Sequence, residues 1–292
     1  MVGDRRAVEQ ADISALVTDA ERYIDQYYYQ QILNMDSDPP EQQLMLTLDF
    51  NANAINTALQ RIGLPVWDKI RPESLIWVAI EYEGNQQLIG EGDEHSLLLQ
   101  IDKAAKNRGI PLLIPLMDLE DQTQLTFNDV STGNNTAVKQ ASERYGASVL
   151  VTARLRGNAE STEISWQAIL TDDVERWSSQ GDVQTAIRTG VDALADHLGR
   201  RLNMSISTSG EAELAIQVSG VNDYEGYSRI MDYLESLQAV SDIKVGSLGS
   251  ESLDLVLFIQ AEPERFRQLL SIGGVIQPEI NDTTGLQYRL LP

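Results

Sequence analysis

Cysteine is absent from this 292-residue chain, which excludes disulfides, thiolate zinc sites and cysteine nucleophiles together. Histidine is nearly absent as well: only His95 and His197 occur, far apart and outside any HExxH pattern. Zinc-hydrolase and histidine-triad chemistry therefore has no sequence support. Basic residues are scarce, with 22 Lys and Arg against 44 Asp and Glu, a formal charge of -22 and a pI near 4.3. That field repels polyanions, so nucleic acid and anionic membrane surfaces are excluded as expected partners. No run approaches the roughly 20 apolar residues that span a bilayer, and the opening MVGDRRAVEQ carries no apolar signal-peptide core. Walker A and GxSxG patterns are missing. The GEGDEH stretch at 90–95 has a Gly-x-Gly, but its acids would repel a phosphate, and it reads as a loop. No cofactor-binding motif and no catalytic set can be assigned.

What the chain contains is a regular alternation of elements. Ile13, Leu16, Val17, Ala20, Ile24 and Tyr27 recur at helical spacing after Asp12, a potential N-cap, and predict an opening helix. The aromatic run at its end, YYYQQ at 27–31, reads as a core anchor, since burying each ring gains on the order of 2 kcal/mol. Val2-Gly3-Asp4-Arg5-Arg6 before it reads as the tail of a strand and its turn. Gln43 to Phe50 alternates apolar residues at 44, 46 and 48, a strand, and Asn51 then caps a helix ending at Gly63. Leu75 to Ile80 is continuously apolar, as suits a central strand covered on both faces. A helix from about Ser96 to Gly109 and a strand over IPLLIPLM complete another round, so the fold class is α/β.

That strand surfaces into DLED at 118–121, followed by Asp129. Ligands in open α/β sheets bind at the carboxyl ends of parallel strands, which makes Asp118, Glu120, Asp121 and Asp129 the candidate acidic site. Their oxygens could serve Ca²⁺ or Mg²⁺, yet the spacing is not that of a calcium loop. In a chain with 44 acids, a solvated strand end explains the same residues.

Farther on, TAVKQASERYG predicts a helix, Ala147 to Arg156 a strand, and STEISWQAIL its hairpin partner. DVERWSSQG reads as a polar continuation, and Asp182 caps a long helix closing with Arg200 and Arg201. The polar stretch at 205–212 divides an α/β domain, 1–204, from a second domain, 213–292. The latter runs strand, helix, strand, strand, helix, strand, the ferredoxin-like order, with Tyr224, Tyr227, Ile230, Met231, Leu234 and Leu237 as the first helix's buried stripe.

RYIDQYYYQQ at 22–31, GLPVWDKIRPESLIWVAI at 63–80, RGIPLLIPLMDLED at 108–121, the following NDV and ASERYGASVLVTARL at 141–155 resemble a proteobacterial envelope family, domain-of-unknown-function family twenty sixty-six. The α/β half is also distantly similar to the amino-terminal module of the translocation protein TolB and to lipoprotein activators of cell-wall synthases. The first resemblance implies an exported, periplasmic protein whose signal peptide, first strand and helix would precede Val2. It carries no catalytic residues. One departure touches it: where that family has Trp-Gly after Asp-Val, this chain has Ser131-Thr132-Gly133-Asn134. Two expectations result: a non-enzymatic interaction protein that binds another envelope protein, or a cation-dependent ligand binder or enzyme built on the acidic strand end. Oligomeric state is not set by the sequence.

Overall fold

The computed structural model describes residues 2–34, 41–64, 66–67, 71–82, 84–93, 96–158, 160–170, 173–202, 212–237, 239–249, 251–272, 274–279 and 286–291. The chain divides into two compact units, Met1–Trp67 and Asp68–Pro292, a break that the sequence reading does not foresee.

The first unit runs α1 (Arg5–Gln10), α2 (Ser14–Thr18), a 3-10 turn (Ala20–Tyr23), β1 (Ile24–Asn34), β2 (Glu41–Phe50) and α3 (Ala52–Arg61). Its beginning is not the tail of a strand: Asp4 caps α1, its carboxylate accepting from the Arg6 amide at 3.0 Å. The single opening helix is also overturned. Asp12 does accept from the Ser14 amide, at 3.1 Å, but helix stops at Thr18 and Ile24 onward is strand. Consecutive Tyr residues fit a pleated ribbon better than a helix, where aromatic side chains lose rotamer freedom. β1 and β2 form an antiparallel hairpin that pairs Tyr27 with Leu48 and Tyr29 with Leu46. Asn51 caps α3 as predicted, accepting from the Ala54 amide at 2.9 Å. A small core gathers Val2, Leu59, Leu64 and Val66, with Val8, Leu16 and Ile55 packed on it.

The second unit begins with β3 (Ser74–Tyr82), β4 (Asn85–Ile89), α4 (Ser96–Arg108), β5 (Leu112–Leu113), α5 (Leu119–Gln124), α6 (Phe127–Thr132), α7 (Asn135–Ser142), a 3-10 turn (Glu143–Tyr145), β6 (Val149–Gly157), β7 (Thr162–Leu170), β8 (Asp173–Gly181) and α8 (Val183–Leu202). These strands order as β4-β3-β6-β7-β8, with β5 beside the start of β3. β3 and β6 are parallel and the other neighbours along that path antiparallel. β3 is central, as its unbroken apolar run predicts. Leu75, Trp77 and Ala79 pack on one face with Val130, Val138 and Ala141. On the other face, Trp166 stands so close to α8 that a Cβ at Gly190 would collide with its indole. Trp166 stacks parallel to Trp177 with centroids 6.1 Å apart, and Trp177 donates to the Gly190 carbonyl at 3.0 Å. DVERWSSQG is a full strand, β8, rather than a continuation, because Trp177 faces Trp166 across the ladder. Arg108 ties α4 to α8, reaching Asp192 and Asp196 at 2.7 Å each.

The linker expected over 205–212 lies almost wholly outside the described residues. β9 (Ala212–Ser219), α9 (Tyr224–Ser236), β10 (Val240–Leu248), β11 (Ser252–Ile259), α10 (Pro263–Ile272), β12 (Ile276–Pro278) and β13 (Gln287–Leu290) follow. Their sheet is ordered β10-β11-β9-β13-β12. Ile230, Leu234, Leu255, Leu257 and Phe266 are among its buried core residues, so the α9 stripe packs as expected at Ile230 and Leu234, whereas Tyr224 is 80% exposed. The sheet departs from the ferredoxin-like expectation at its far side. There the short β12 takes the edge and β13 turns back to lie parallel to β9, where a ferredoxin-like sheet is antiparallel throughout.

Candidate functional site

The acidic stretch opens a helix and does not end a strand, because β5 stops at Leu113 and Asp118 is the N-cap of α5. Its Oδ1 accepts from the Asp121 amide at 3.1 Å. Arg144 grips the same carboxylate in parallel, Nη1 to Oδ1 at 2.9 Å and Nη2 to Oδ2 at 2.8 Å, and lies 3.3 Å from Glu120 and 3.4 Å from Asp121. That guanidinium, helped by the Asp121 amide, holds Asp118 down at about 2, and Asp118 in turn raises Arg144. Asp121 is 1% exposed. Its Oδ2 accepts from the Met117 amide at 2.9 Å and from the Tyr145 hydroxyl at 2.6 Å. Burial first, and then the bond to Asp121, pushes the Tyr145 phenol up to about 12. Met117, φ 54°, is the only non-glycine in the left-handed region among the described residues. The hydrogen bond that its amide N–H donates to Asp121 holds that costly conformation.

Asp129 stands apart. It closes a capping box with Thr126 at the start of α6 and accepts from Asn134 Nδ2 at 2.8 Å, and the Thr126 hydroxyl, followed by Asn134, lowers its pKa. Three of the four candidates thus converge on Arg144, and the fourth serves a different helix. Among the described residues no group of three or more His, Asp or Glu is set to hold a metal ion. Arg144 and Tyr145 are the partners that sequence reading missed. Their signal was ERYG, an arginine and an aromatic at the end of a helix in a chain with few bases.

A different part of the second unit has the geometry of a crevice. A cavity of about 530 Å³ opens at the carboxyl ends of the parallel strands β3 and β6. Ile80, Leu97, Leu155 and Val183 form apolar wall, and Tyr82, Asn85, Gln87 and Gln100 bring polar groups. Sheet register places Ile80 and Tyr82 on one face with Gln87 and Asn85, and Leu155 with Ile164. Glu81 and Arg156 alternate to the other face. There the Glu81 carboxylate takes Arg154 Nη2 at 2.6 Å and Arg156 Nε at 3.1 Å, and Arg154, as the largest cause, lowers its pKa.

The first unit presents a third arrangement. Cross-strand partners in an antiparallel ribbon share a face, so Tyr27, Tyr29, Leu44, Leu46 and Leu48 line one side of the hairpin. They are not buried: exposures are 65, 60, 65, 46 and 37% respectively. The core reading of the YYYQQ aromatics is therefore wrong. Gln26, Gln30, Thr47 and Asp49 belong to the opposite face, together with Tyr28 and Met45. Segment 24–50 holds five acids and neither Lys nor Arg.

A family model described as Domain of unknown function (DUF8605) matches residues 1–68. Nothing found links the chain to family twenty sixty-six, which the motifs had suggested. No curated protein matches. Among solved structures, the LpoB C-terminal domain from Salmonella enterica is similar at 19% identity and a TM-score of 0.27, over 44% of this chain and 90% of that one. TolB from Acinetobacter baumannii is similar at 13% identity and a TM-score of 0.25, over 53% of this chain and 34% of that one. At those scores neither likeness carries a structural argument.

Proposed function

We propose that this is a non-enzymatic interaction protein of the bacterial cell envelope, acting in the periplasm, and that it captures a protein partner on the apolar face of the β1–β2 hairpin. The observation that carries the reading is that face. Five large apolar side chains of a two-stranded ribbon stand in solvent, on the order of 600 Å² by their exposures. That is the upper end for the largest patch on a monomer and approaches the ~800 Å² each partner gives to a standard interface. Such a ribbon is marginal by itself. Among the described residues, β1 and β2 pair only with each other. Charge selects the occupant: five acids without a base in 24–50 favour an apolar strand or sheet face rimmed by Lys and Arg, and set a second copy or an anionic bilayer at a disadvantage. Among the described residues no helix is long and apolar enough to cross a membrane.

The test uses synthetic strand peptides that alternate Leu with Lys or Leu with Glu, titrated by fluorescence anisotropy against the full chain and its Tyr27→Ser/Leu46→Ser variant. Binding of the Lys peptide that weakens at least tenfold in the variant supports the reading. Equal binding to both proteins, or preference for the Glu peptide, overturns it. Light scattering adds a third arm: dimers at micromolar concentration that the variant abolishes would assign the face to a second copy instead.

A further inference from the structure

We infer that the crevice at the carboxyl ends of β3 and β6 is a binding site for a neutral saccharide of one or two rings. The argument starts from place, since the ends of neighbouring parallel strands are where a sheet leaves room for a ligand. Size comes next: about 530 Å³ lies within the range of small-molecule sites. Then comes what the lining can recognise. Gln100 Oε1 is buried and has no hydrogen-bond partner among the described residues. A hydroxyl or amide of a ligand that reached this oxygen would supply the donor it lacks. Asn85 and Gln87 line the same cavity with exposed side chains. Each carboxamide offers a donor beside an acceptor, the pairing that neighbouring hydroxyls or an acetamido group match. The apolar wall of Ile80, Leu97, Leu155 and Val183, with the Tyr82 ring, suits the C–H face of a sugar ring.

Charge excludes the obvious rivals. The charged ends that border the cavity, Glu81 and Arg156, are bonded to each other on the opposite face of the sheet. The amino end of α8, which could otherwise draw a phosphate or carboxylate, is already closed by an anion of the chain itself: Asp182 Oδ1 accepts from the Thr185 amide at 2.9 Å. A charged ligand entering this cavity would lose its water without gaining a counter-charge, whereas a neutral one would not.

N,N′-diacetylchitobiose, cellobiose and maltose, with galacturonic acid as the charged control, would be titrated to about 10 mM into the ¹⁵N-labelled full chain and followed by NMR. The expected result is that at least one neutral sugar shifts amides of β3, β4 and the start of α4, and galacturonic acid does not. Gln100→Leu should weaken that binding at least tenfold while leaving the unfolding temperature unchanged or higher, because it removes an unpaired acceptor. Leu97→Trp, which narrows the cavity, should abolish the shifts. No neutral sugar shifting the crevice amides, binding that survives both variants, or binding of the charged control alone would overturn the assignment. All of these outcomes are read in the second unit and leave the hairpin reading untouched.

Discussion

The acidic turn from Met117 to Tyr145 and the hairpin from Ile24 to Phe50 have exchanged the roles that their sequences suggest. DLED looks like a cluster of unsatisfied charge, and YYYQQ looks like packing. In the structure Asp118 caps the helix that carries Glu120 and Asp121, and all three face Arg144, while Tyr27, Tyr29 and their Leu partners face solvent. The difference teaches where to look for a demand on the outside. A charge is satisfied by one well-placed opposite group, and a single residue 26 positions away suffices, as Arg144 does for Asp118. An apolar face is satisfied only by area, and no single residue supplies it.

The largest expected effect tests the closed side. Asp121→Asn keeps the volume but removes the carboxylate that holds the Met117 amide, the Tyr145 hydroxyl and, at longer range, Arg144. Loss of about 3 kcal/mol in urea unfolding is expected, since breaking a buried polar cluster leaves its partners unpaired. A loss under about 1 kcal/mol would show that the turn is not locked. Arg144→Ala should cost less than Asp121→Asn and should leave the carboxylates of Asp118, Glu120 and Asp121 without their shared guanidinium. With the guanidinium gone, millimolar Ca²⁺ or Mg²⁺ should raise the unfolding temperature of the variant and not that of the wild type. A rise in the wild type that EDTA reverses would favour the cation-dependent alternative.

Acid titration sharpens the same point without mutating the buried residue. Asp118 is depressed from 3.8 to about 2 in the folded chain, so its stabilising bond is fully present above about pH 4 and is lost as pH falls through about 2. Asp118→Asn should therefore flatten that part of the acid limb. Tyr145 has the opposite sign: raised from 10.0 to about 12, it favours the fold below about pH 10, and that contribution fades as pH climbs to about 12. If Tyr145→Phe left the alkaline limb unchanged, the bond to Asp121 would not be the one that titrates.

How much of this was legible depends on the kind of signal. Continuous apolar runs and caps were readable: β3, Asn51 and Asp182 stand where the pattern put them, because each rests on local chemistry. The opening helix failed because Ile13 to Tyr27 satisfies a helical period by coincidence, and the aromatic run beyond Ile24 prefers a pleated surface. IPLLIPLM failed for the opposite reason. An apolar stretch with two prolines reads as a strand, yet only Leu112 and Leu113 find a partner in β3. The four acids were found and their use was not, since neither Arg144 nor Tyr145 is their neighbour in sequence. The crevice was closest to legible in principle. Alternating helices and strands point to the carboxyl ends of parallel strands, but not to β3 and β6, rather than β5, as the pair that runs side by side long enough to form one.

The open side should answer with small numbers in the same assay. Tyr27→Ser/Leu46→Ser removes one member from each of two cross-strand pairs, Tyr27–Leu48 and Tyr29–Leu46, and pairs of this kind contribute roughly 0.2–1 kcal/mol. A change of about 1 kcal/mol or less is expected, against the tenfold loss in peptide binding. A loss as large as that of Asp121→Asn would mean that these side chains are buried in solution and that their role is packing after all. Smallest of all is Glu120→Gln. Glu120 touches Arg144 at 3.3 Å, but its side chain is 58% exposed, and Arg144 keeps both bonds to Asp118 when the charge is removed. Less than about 0.5 kcal/mol should be lost. A larger loss would show that the turn needs its third carboxylate, and that one guanidinium is shared among the acids more evenly than the two bonds to Asp118 indicate.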